Sequence, residues 1–196
     1  MAVDSNALVI PGHATVFHAP VNTAAPANPL EAFSLTADSV ATGWVNLGHT
    51  SKENTVSFGR EGGEATSINT YLADAVRTVY SSVAWTLNIP ALQFDQDVLD
   101  LAFNGDFDTD NGYIIPGASS ATETALFLLF EDSSGKLGFY IPNTTVTLGD
   151  VPSFSPDAFT ELPLAASIQS ASSSVIPAAG GKPGIMKLYK TGLASV

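Results

Sequence analysis

The chain has 196 residues, enough for one sizeable domain or for one domain with extended arms. Nineteen Asp and Glu stand against seven Lys and Arg, a net charge of -12, so the chain lacks the cations a nucleic-acid reader needs to neutralise phosphates. It has no cysteine, which excludes disulfides, thiolate chemistry and Cys-based zinc sites.

Charged residues make up only 13% of the chain, against about 25% in typical soluble domains. With a mean hydropathy of +0.21, two readings follow. The surface is rich in Ala, Ser, Thr and Gly, or much of it is covered by other subunits, since obligate interfaces are poor in charge. The longest apolar run, Ala125 to Phe130, is far short of the roughly 18 residues of a membrane span. The N-terminal stretch carries Asp4 in place of a basic segment and a long apolar run, so a soluble protein made without export is expected.

Residues 1–40 read as an extended N-terminal arm, punctuated by Pro11, Pro20, Pro26 and Pro29. Ala7 to Ile10 and Thr15 to Phe17 each have the character of a short strand. The clearest strand signal is Val79 to Ile89, where Val83, Trp85, Leu87 and Ile89 alternate with Ala84, Thr86 and Asn88. A helix is predicted over 96–103, with Asp95 as N-cap, Asp97 in the first turn and Asn104-Gly105 as the stop. Its apolar stripe would be Val98, Leu99, Ala102 and Phe103. Thr124 to Phe130 is nearly continuous in apolar residues, as expected of a strand covered on both faces. A turn at Asp132-Ser133-Ser134-Gly135 joins it to Lys136 to Ile141 in a hairpin. Thr144 to Leu148 and Phe159 to Ile168 complete the strands, with Pro163 indicating an edge or a bulge. The prediction is a mainly β fold: an antiparallel β-sandwich or barrel over 41–169 with one flanking helix, followed by a flexible C-terminal segment over 170–196.

Candidate chemistry is sparse. Asp106, Asp108 and Asp110 alternate in a loop, as ligands of a hard cation do. The EF-hand pattern needs Gly at the sixth position and Glu at the twelfth, which here are Asn111 and Gly117. A solvated turn is the plainer reading. His13, His18 and His49 are too scattered to ligate a metal together. There is no Gly-x-Ser-x-Gly elbow and no phosphate-binding glycine loop, and Glu61-Gly62-Gly63-Glu64 is a turn whose acids would repel phosphate. Asn143-Thr144-Thr145 fits a glycosylation sequon that has no meaning without export. No cofactor is implied and no residue is a candidate catalyst, so the chain is read as not an enzyme.

Several stretches, in order, resemble the major tail tube proteins of siphophages that infect actinobacteria. They are Trp-Val-Asn-Leu-Gly-His-Thr-Ser-Lys-Glu at 44–53, Phe-Gly-Arg-Glu-Gly-Gly-Glu at 58–64, and Thr70-Tyr71 followed by Ala75-Val76-Arg77. Leu92-Gln93-Phe94-Asp95 before the helix, Ala125 to Phe139, and Phe-Thr-Glu-Leu-Pro-Leu-Ala-Ala at 159–166 continue the match. Phe17-His18-Ala19-Pro20-Val21 and Thr23-Ala24-Ala25-Pro26 have the same cast. The resemblance runs from about residue 8 to 168, with departures at 105–122 and after Ser170.

The resemblance implies a β-sandwich with a flanking helix that assembles into stacked hexameric rings. The channel holds a tape-measure protein and then passes DNA at ejection, and tail terminator and tail-tip proteins meet the tube's ends. Nothing implies a membrane partner. Glu53, Glu61 and Glu64 are the candidates to face the channel, with an ordinary solvated turn as the alternative. The competing function is a cation-dependent β-sandwich binding module, an adhesin or carbohydrate-binding domain, resting on the Asp106 to Asp110 loop. A hydrolase with a carboxylate pair has only the abundance of acids behind it.

Overall fold

The computed structural model describes residues 11–40, 43–110, 112–118, 120–132 and 135–191. In chain order these form β1 (His13–Pro20), α1 (Pro29–Ala32), β2 (Ser39–Val40), β3 (Trp44–Asn46), β4 (Ser57–Gly62), β5 (Ala65–Ile68), β6 (Arg77–Tyr80) and β7 (Val83–Ala91). There follow α2 (Gln96–Phe103), β8 (Asp106–Phe107), β9 (Tyr113–Ile114), β10 (Thr122–Asp132), β11 (Gly135–Leu148), β12 (Leu162–Ile168) and β13 (Lys187–Lys190). The main sheet has the order β2-β3-β1-β10-β11-β12-β7-β4, with β13 paired to β11. All its pairings are antiparallel, and it is open rather than closed into a barrel. Sandwich-like and mainly β, it matches the fold class expected from the sequence.

The β10–β11 hairpin is the spine. Strand β11 pairs with β10 from Gly135 to Val146; its other edge meets β13 at 137–140 and β12 at 144–148. What reads in sequence as two strands, 136–141 and 144–148, is therefore one strand with a bulge. Between Leu126↔Ile141 and Thr124↔Thr144 strand β11 carries one extra residue, and Pro142, which has no N–H to donate, falls there. The Thr144 hydroxyl donates to the Thr124 carbonyl at 2.8 Å, and the Thr124 hydroxyl to the Ala19 carbonyl at 2.7 Å, so the buried polar groups at the bulge are paired.

Alternation along β10 divides the interior in two. Ala125, Phe127 and Leu129 face an aromatic core with Phe17, Phe33, Trp44 and Tyr140. Leu126 and Leu128 face an aliphatic core with Val16, Leu87, Ile89, Val146, Leu162 and Leu164, over which α2 lays Val98, Leu101 and Ala102. Residues 125 to 129 are all fully buried, as the unbroken apolar run predicts. Helix α2 has the predicted bounds: the Asp95 carboxylate accepts the Val98 N–H at 3.1 Å, and Asn104 closes the helix with φ +49°. Its buried stripe includes Leu101, which the sequence pattern omitted, while Leu99 and Phe103 are only partly buried.

Other expectations need correction. Residues 13–20, expected as part of an arm, form the interior strand β1 between β3 and β10, because Val16 and Phe17 each enter one of the two cores. The Ala7 to Ile10 candidate lies outside the described residues. A second helix, the single turn α1, begins at Pro29, whose fixed φ suits a helix start. The predicted strand from Val79 to Ile89 is two strands, β6 and β7, broken at Ser81-Ser82. Strand β12 is interior rather than an edge. Pro163 is tolerated because the β11–β12 ladder has already ended at Leu148↔Leu164 when Pro163 comes opposite Pro90.

The aromatic core also holds the segments on either side of the sheet. Phe33 stacks on Phe127 with ring centroids 4.0 Å apart and meets Phe17 at 4.8 Å and Trp44 at 5.5 Å. The Trp44 indole N–H donates to the Ala24 carbonyl at 3.2 Å and the Tyr140 hydroxyl to the Thr23 carbonyl at 2.7 Å, which fixes the proline-punctuated turn after β1. Burial pushes the Tyr140 hydroxyl pKa up to about 12, with neighbouring Tyr189 adding to the rise. Within the segment expected to be flexible, 170–196, Ala171, Val175 and buried Ile176 pack on the same core, residues 177–183 are exposed, and β13 rejoins the sheet.

On the aliphatic side His18 sits across from α2, with its Nε2 atom buried and without a hydrogen-bond partner. Burial lowers its pKa below 6.5, against the opposing pull of Asp97, Asp95 and Asp100.

Replacing Phe33 by Ala removes the ring that joins three aromatic neighbours and should lower unfolding free energy by about 3–5 kcal/mol, read by chemical denaturation. His18 gives a pH dependence. Below about pH 6.5 the unfolded chain takes up a proton that the folded chain resists, so stability present above that pH is lost as pH falls toward the depressed folded value. Unfolding free energy should decline from about pH 7 to about pH 5, and His18→Gln should flatten the decline. An equal slope in the variant would assign it to other groups.

Candidate assembly surface

Strands β4 and β5 run out in succession and β6 and β7 return, so residues 57–91 form one long hairpin in two parts. The root pairs β4 with β7, from Ser57↔Asn88 to Gly62↔Val83, and belongs to the main sheet. The outer part pairs β5 with β6, from Ala65↔Tyr80 to Ile68↔Arg77, and forms a two-stranded sheet of its own. Between them the Glu64 N–H donates to the Ser81 hydroxyl and the Ser81 N–H to the Glu64 carbonyl, each at 3.0 Å. Gly62 and Gly63 make the joint with φ of +80° and +76°. A Cβ on Gly62 would lie 2.0 Å from the Ser82 carbonyl oxygen, so only glycine fits.

The outer part is apolar and uncovered. Tyr71 and Leu72 at the turn are completely exposed, at 110% and 98%, and Ile68, Val76, Val79 and Tyr80 are exposed beside them. In the root, Leu87 and Ile89 are buried while Val83 is exposed, so the change from core to solvent falls within β7. Strand β4 ends the sheet order, and its outer side has no partner strand among the described residues. An exposed apolar hairpin continuous with an open sheet edge is a surface for covering by protein.

The sequence hid this feature because Tyr71, Leu72, Val76 and Val79 have the composition of a core strand. The signal that separates them is the pair of breaks, Gly62-Gly63 and Ser81-Ser82, placed opposite each other across the hairpin.

The proposed channel-facing acids do not form one cluster. Glu61, opposite Ala84, and Glu64 are exposed at the hairpin joint. Glu53 is exposed in the loop before β4, and the strand from Ser57 to Glu61, about 13 Å, lies between that loop and the joint. Of the three, only Glu61 belongs to the edge strand β4.

Asp106, Asp108 and Asp110 are exposed in the small β8–β9 hairpin. The Asp108 carboxylate accepts the Thr109 N–H at 2.6 Å and the Asp110 carboxylate accepts the Gly112 N–H at 3.1 Å, so both are engaged by their own loop. Tyr113 ties this loop to α2: its hydroxyl donates to Asp100 at 2.8 Å and accepts the Gly105 N–H at 2.8 Å. Burial, then the Asp100 hydrogen bond, raises its pKa. His13 and His49 are exposed and stand apart from His18. Among the described residues no three His, Asp or Glu side chains gather as a metal site.

The sequence model of a family described as phage tail tube protein matches residues 1–177. The chain is 27% identical over 169 residues to the major tail protein Gp23 of Mycobacterium phage D29, covering 84% of this chain and 85% of that protein. It is 26% identical over 125 residues to the major tail protein Gp23 of Mycobacterium phage L5, covering 63% of each.

Proposed function

The chain belongs to the phage tail tube protein family, a structural component of the virion tail and not an enzyme, and from that premise we propose that it assembles into stacked hexameric rings whose bore conducts the genome. The observation that carries the proposal is the uncovered apolar hairpin beside an open sheet edge. Head-to-tail contacts that rotate and close make a ring, and the same chain translated along an axis makes a stack. Closure pairs the edges that a free monomer leaves open. The low charged fraction suits a surface mostly buried in such an assembly. A tape-measure protein in the bore, with terminator and tail-tip proteins at the ends, are the partners this role requires.

The channel lining is part of the same proposal. Glu61 is exposed on the edge strand, Glu64 just beyond its end and Glu53 in the loop that leads into it, and a net charge of -12 makes an acidic bore consistent with the chain as a whole. Carboxylates repel duplex phosphates within about a Debye length, roughly 8 Å at physiological salt, so DNA slides without adhering.

Concentrated purified protein should show stacked rings with a central channel by negative-stain electron microscopy. A strict monomer at every concentration, with or without tail-tip proteins as template, would overturn the proposal. Virions carrying Glu53→Lys, Glu61→Lys and Glu64→Lys together should assemble but release DNA more slowly after triggering; release at the parental rate would remove these residues from the lining.

A further inference from the structure

The turn that leaves α2 carries a chemically labile pair, Asn104 followed by Gly105, with Asn104 exposed. In an Asn-Gly pair the second residue has no Cβ, so its backbone nitrogen can approach the asparagine carboxamide closely. The reaction open to the pair is self-attack. The Gly105 N–H gives its proton to hydroxide, the nitrogen attacks Asn104 Cγ, and the new C–N bond closes a five-membered imide. The Cγ–Nδ2 bond breaks and ammonia leaves. Water then opens the imide at either carbonyl, leaving aspartate or its β-linked isomer.

Local geometry explains why the pair is present. Asn104 closes α2 in the left-handed region, at φ +49° and ψ +53°, which Asn and Gly tolerate best. At position 105 a Cβ would lie 2.1 Å from the Ile114 carbonyl oxygen and 2.8 Å from the Tyr113 ring, so β9 demands glycine.

Three features of the same turn oppose the reaction. The Gly105 N–H donates to the Tyr113 hydroxyl at 2.8 Å, and that hydroxyl donates onward to the Asp100 carboxylate at 2.8 Å. The proton that must leave is therefore engaged, and the carboxylate behind it disfavours an amide anion. The Asn104 carboxamide N–H donates to the Ser120 hydroxyl at 2.7 Å, which anchors the group under attack. Ring closure also needs Cβ and the Gly105 nitrogen eclipsed about the Cα–C bond of Asn104, and ψ of +53° sets them nearly opposite. Hydroxide drives the attack, and Tyr113 keeps its proton into the alkaline range because burial, then the Asp100 hydrogen bond, raise its pKa.

We propose that Asn104-Gly105 is a site of spontaneous deamidation held inactive by the β8–β9 hairpin, with Tyr113 as the positioning residue that restrains it. The reactant is water, and the inference does not depend on how copies assemble. Modification places a further carboxylate at the C-terminus of α2, where the helix dipole opposes it. The β-linked isomer also adds an atom to the backbone just before Asp106 and so disturbs the Asp106↔Ile114 pairing.

The test compares folded protein with protein unfolded in urea, both held at mildly alkaline pH. Peptide mapping by mass spectrometry reads the exchange of NH2 for OH at residue 104. The unfolded chain should convert Asn104 about tenfold faster or more. Tyr113→Phe keeps the ring and removes the hydroxyl; it should raise the folded-state rate by about tenfold, the worth of one hydrogen bond in a charged chain. Ser120→Ala, exposed and outside both strands, should raise it by about threefold. Both variants should unfold at the parent's urea midpoint, so that the rise is local. Equal rates in folded and unfolded parent, or an unfolded chain that keeps Asn104 intact, would overturn the proposal. So would variants that convert at the parental rate, or a rise that merely follows a loss of global stability.

Discussion

The fold depends on burying both faces of β10. Five consecutive residues, 125 to 129, are fully excluded from water, and a strand sends successive side chains to opposite sides, so one apolar layer cannot satisfy it. Two cores follow. The aliphatic one is closed by α2 and the strands on the β12 side of the sheet, the aromatic one by Phe33, Trp44 and Ile176. This demand draws in segments whose composition suggests looseness. Pro20 to Pro26 is ordered because Trp44 and Tyr140, buried for their rings, must still place an N–H and an O–H on carbonyls, and Ala24 and Thr23 supply them. Residues 171–176 are ordered because the aromatic layer needs a lid.

Two of the stretches that resemble the family, 44–53 and 92–95, belong to a clasp rather than a chemical site. Residues 44–53 and 90–95 meet through a bridge between Thr50 and Ala91 and three N–H donations: Ser51 to the Pro90 carbonyl, Leu92 to the His49 carbonyl, and His49 to the Gln93 side chain at 2.7 Å. Gly48 suits this place because its φ is +77°, and its missing Cβ leaves room for the Gln93 amide. The clasp joins the loop before β4 to the end of β7 and the entry to α2, and so sets the root of the long hairpin. A signature of this kind reports geometry that directs a protruding element, which is consistent with a protein whose work is contact rather than reaction.

What the sequence made legible divides along a physical line. Helix α2 and the β10–β11 hairpin could be read because their signals are local: a capping Asp95, a left-handed Asn104, an unbroken apolar run and a polar turn. Strand β1 could not, because its place between β3 and β10 is set by partners about 30 and 110 residues away, while its prolines argue locally for an arm. The outer hairpin was misleading in the opposite sense. Val79 and Val83 share a parity with Leu87 and Ile89 and so look like one buried face, yet only the latter pair has a core to enter. Periodicity shows which residues are on the same side of a strand, not whether anything lies on that side. Glu61 illustrates the same limit, since its place on an edge strand comes from sheet order and not from spacing.

In the proposed tube, exposed apolar groups would leave a single contact between two copies weak while an assembly holds many of them together. Covering one large apolar side chain contributes about 1.5–3 kcal/mol, whereas bringing two copies together costs about 4–15 kcal/mol in lost freedom. A few side chains at one end therefore leave a single contact marginal, and repulsion between copies of charge -12 weakens it further. Once neighbours are already held at the sheet edges, each further docking event is intramolecular and meets a much smaller entropic cost. In the proposed tube, growth on an existing ring would then be favoured over pairing in solution.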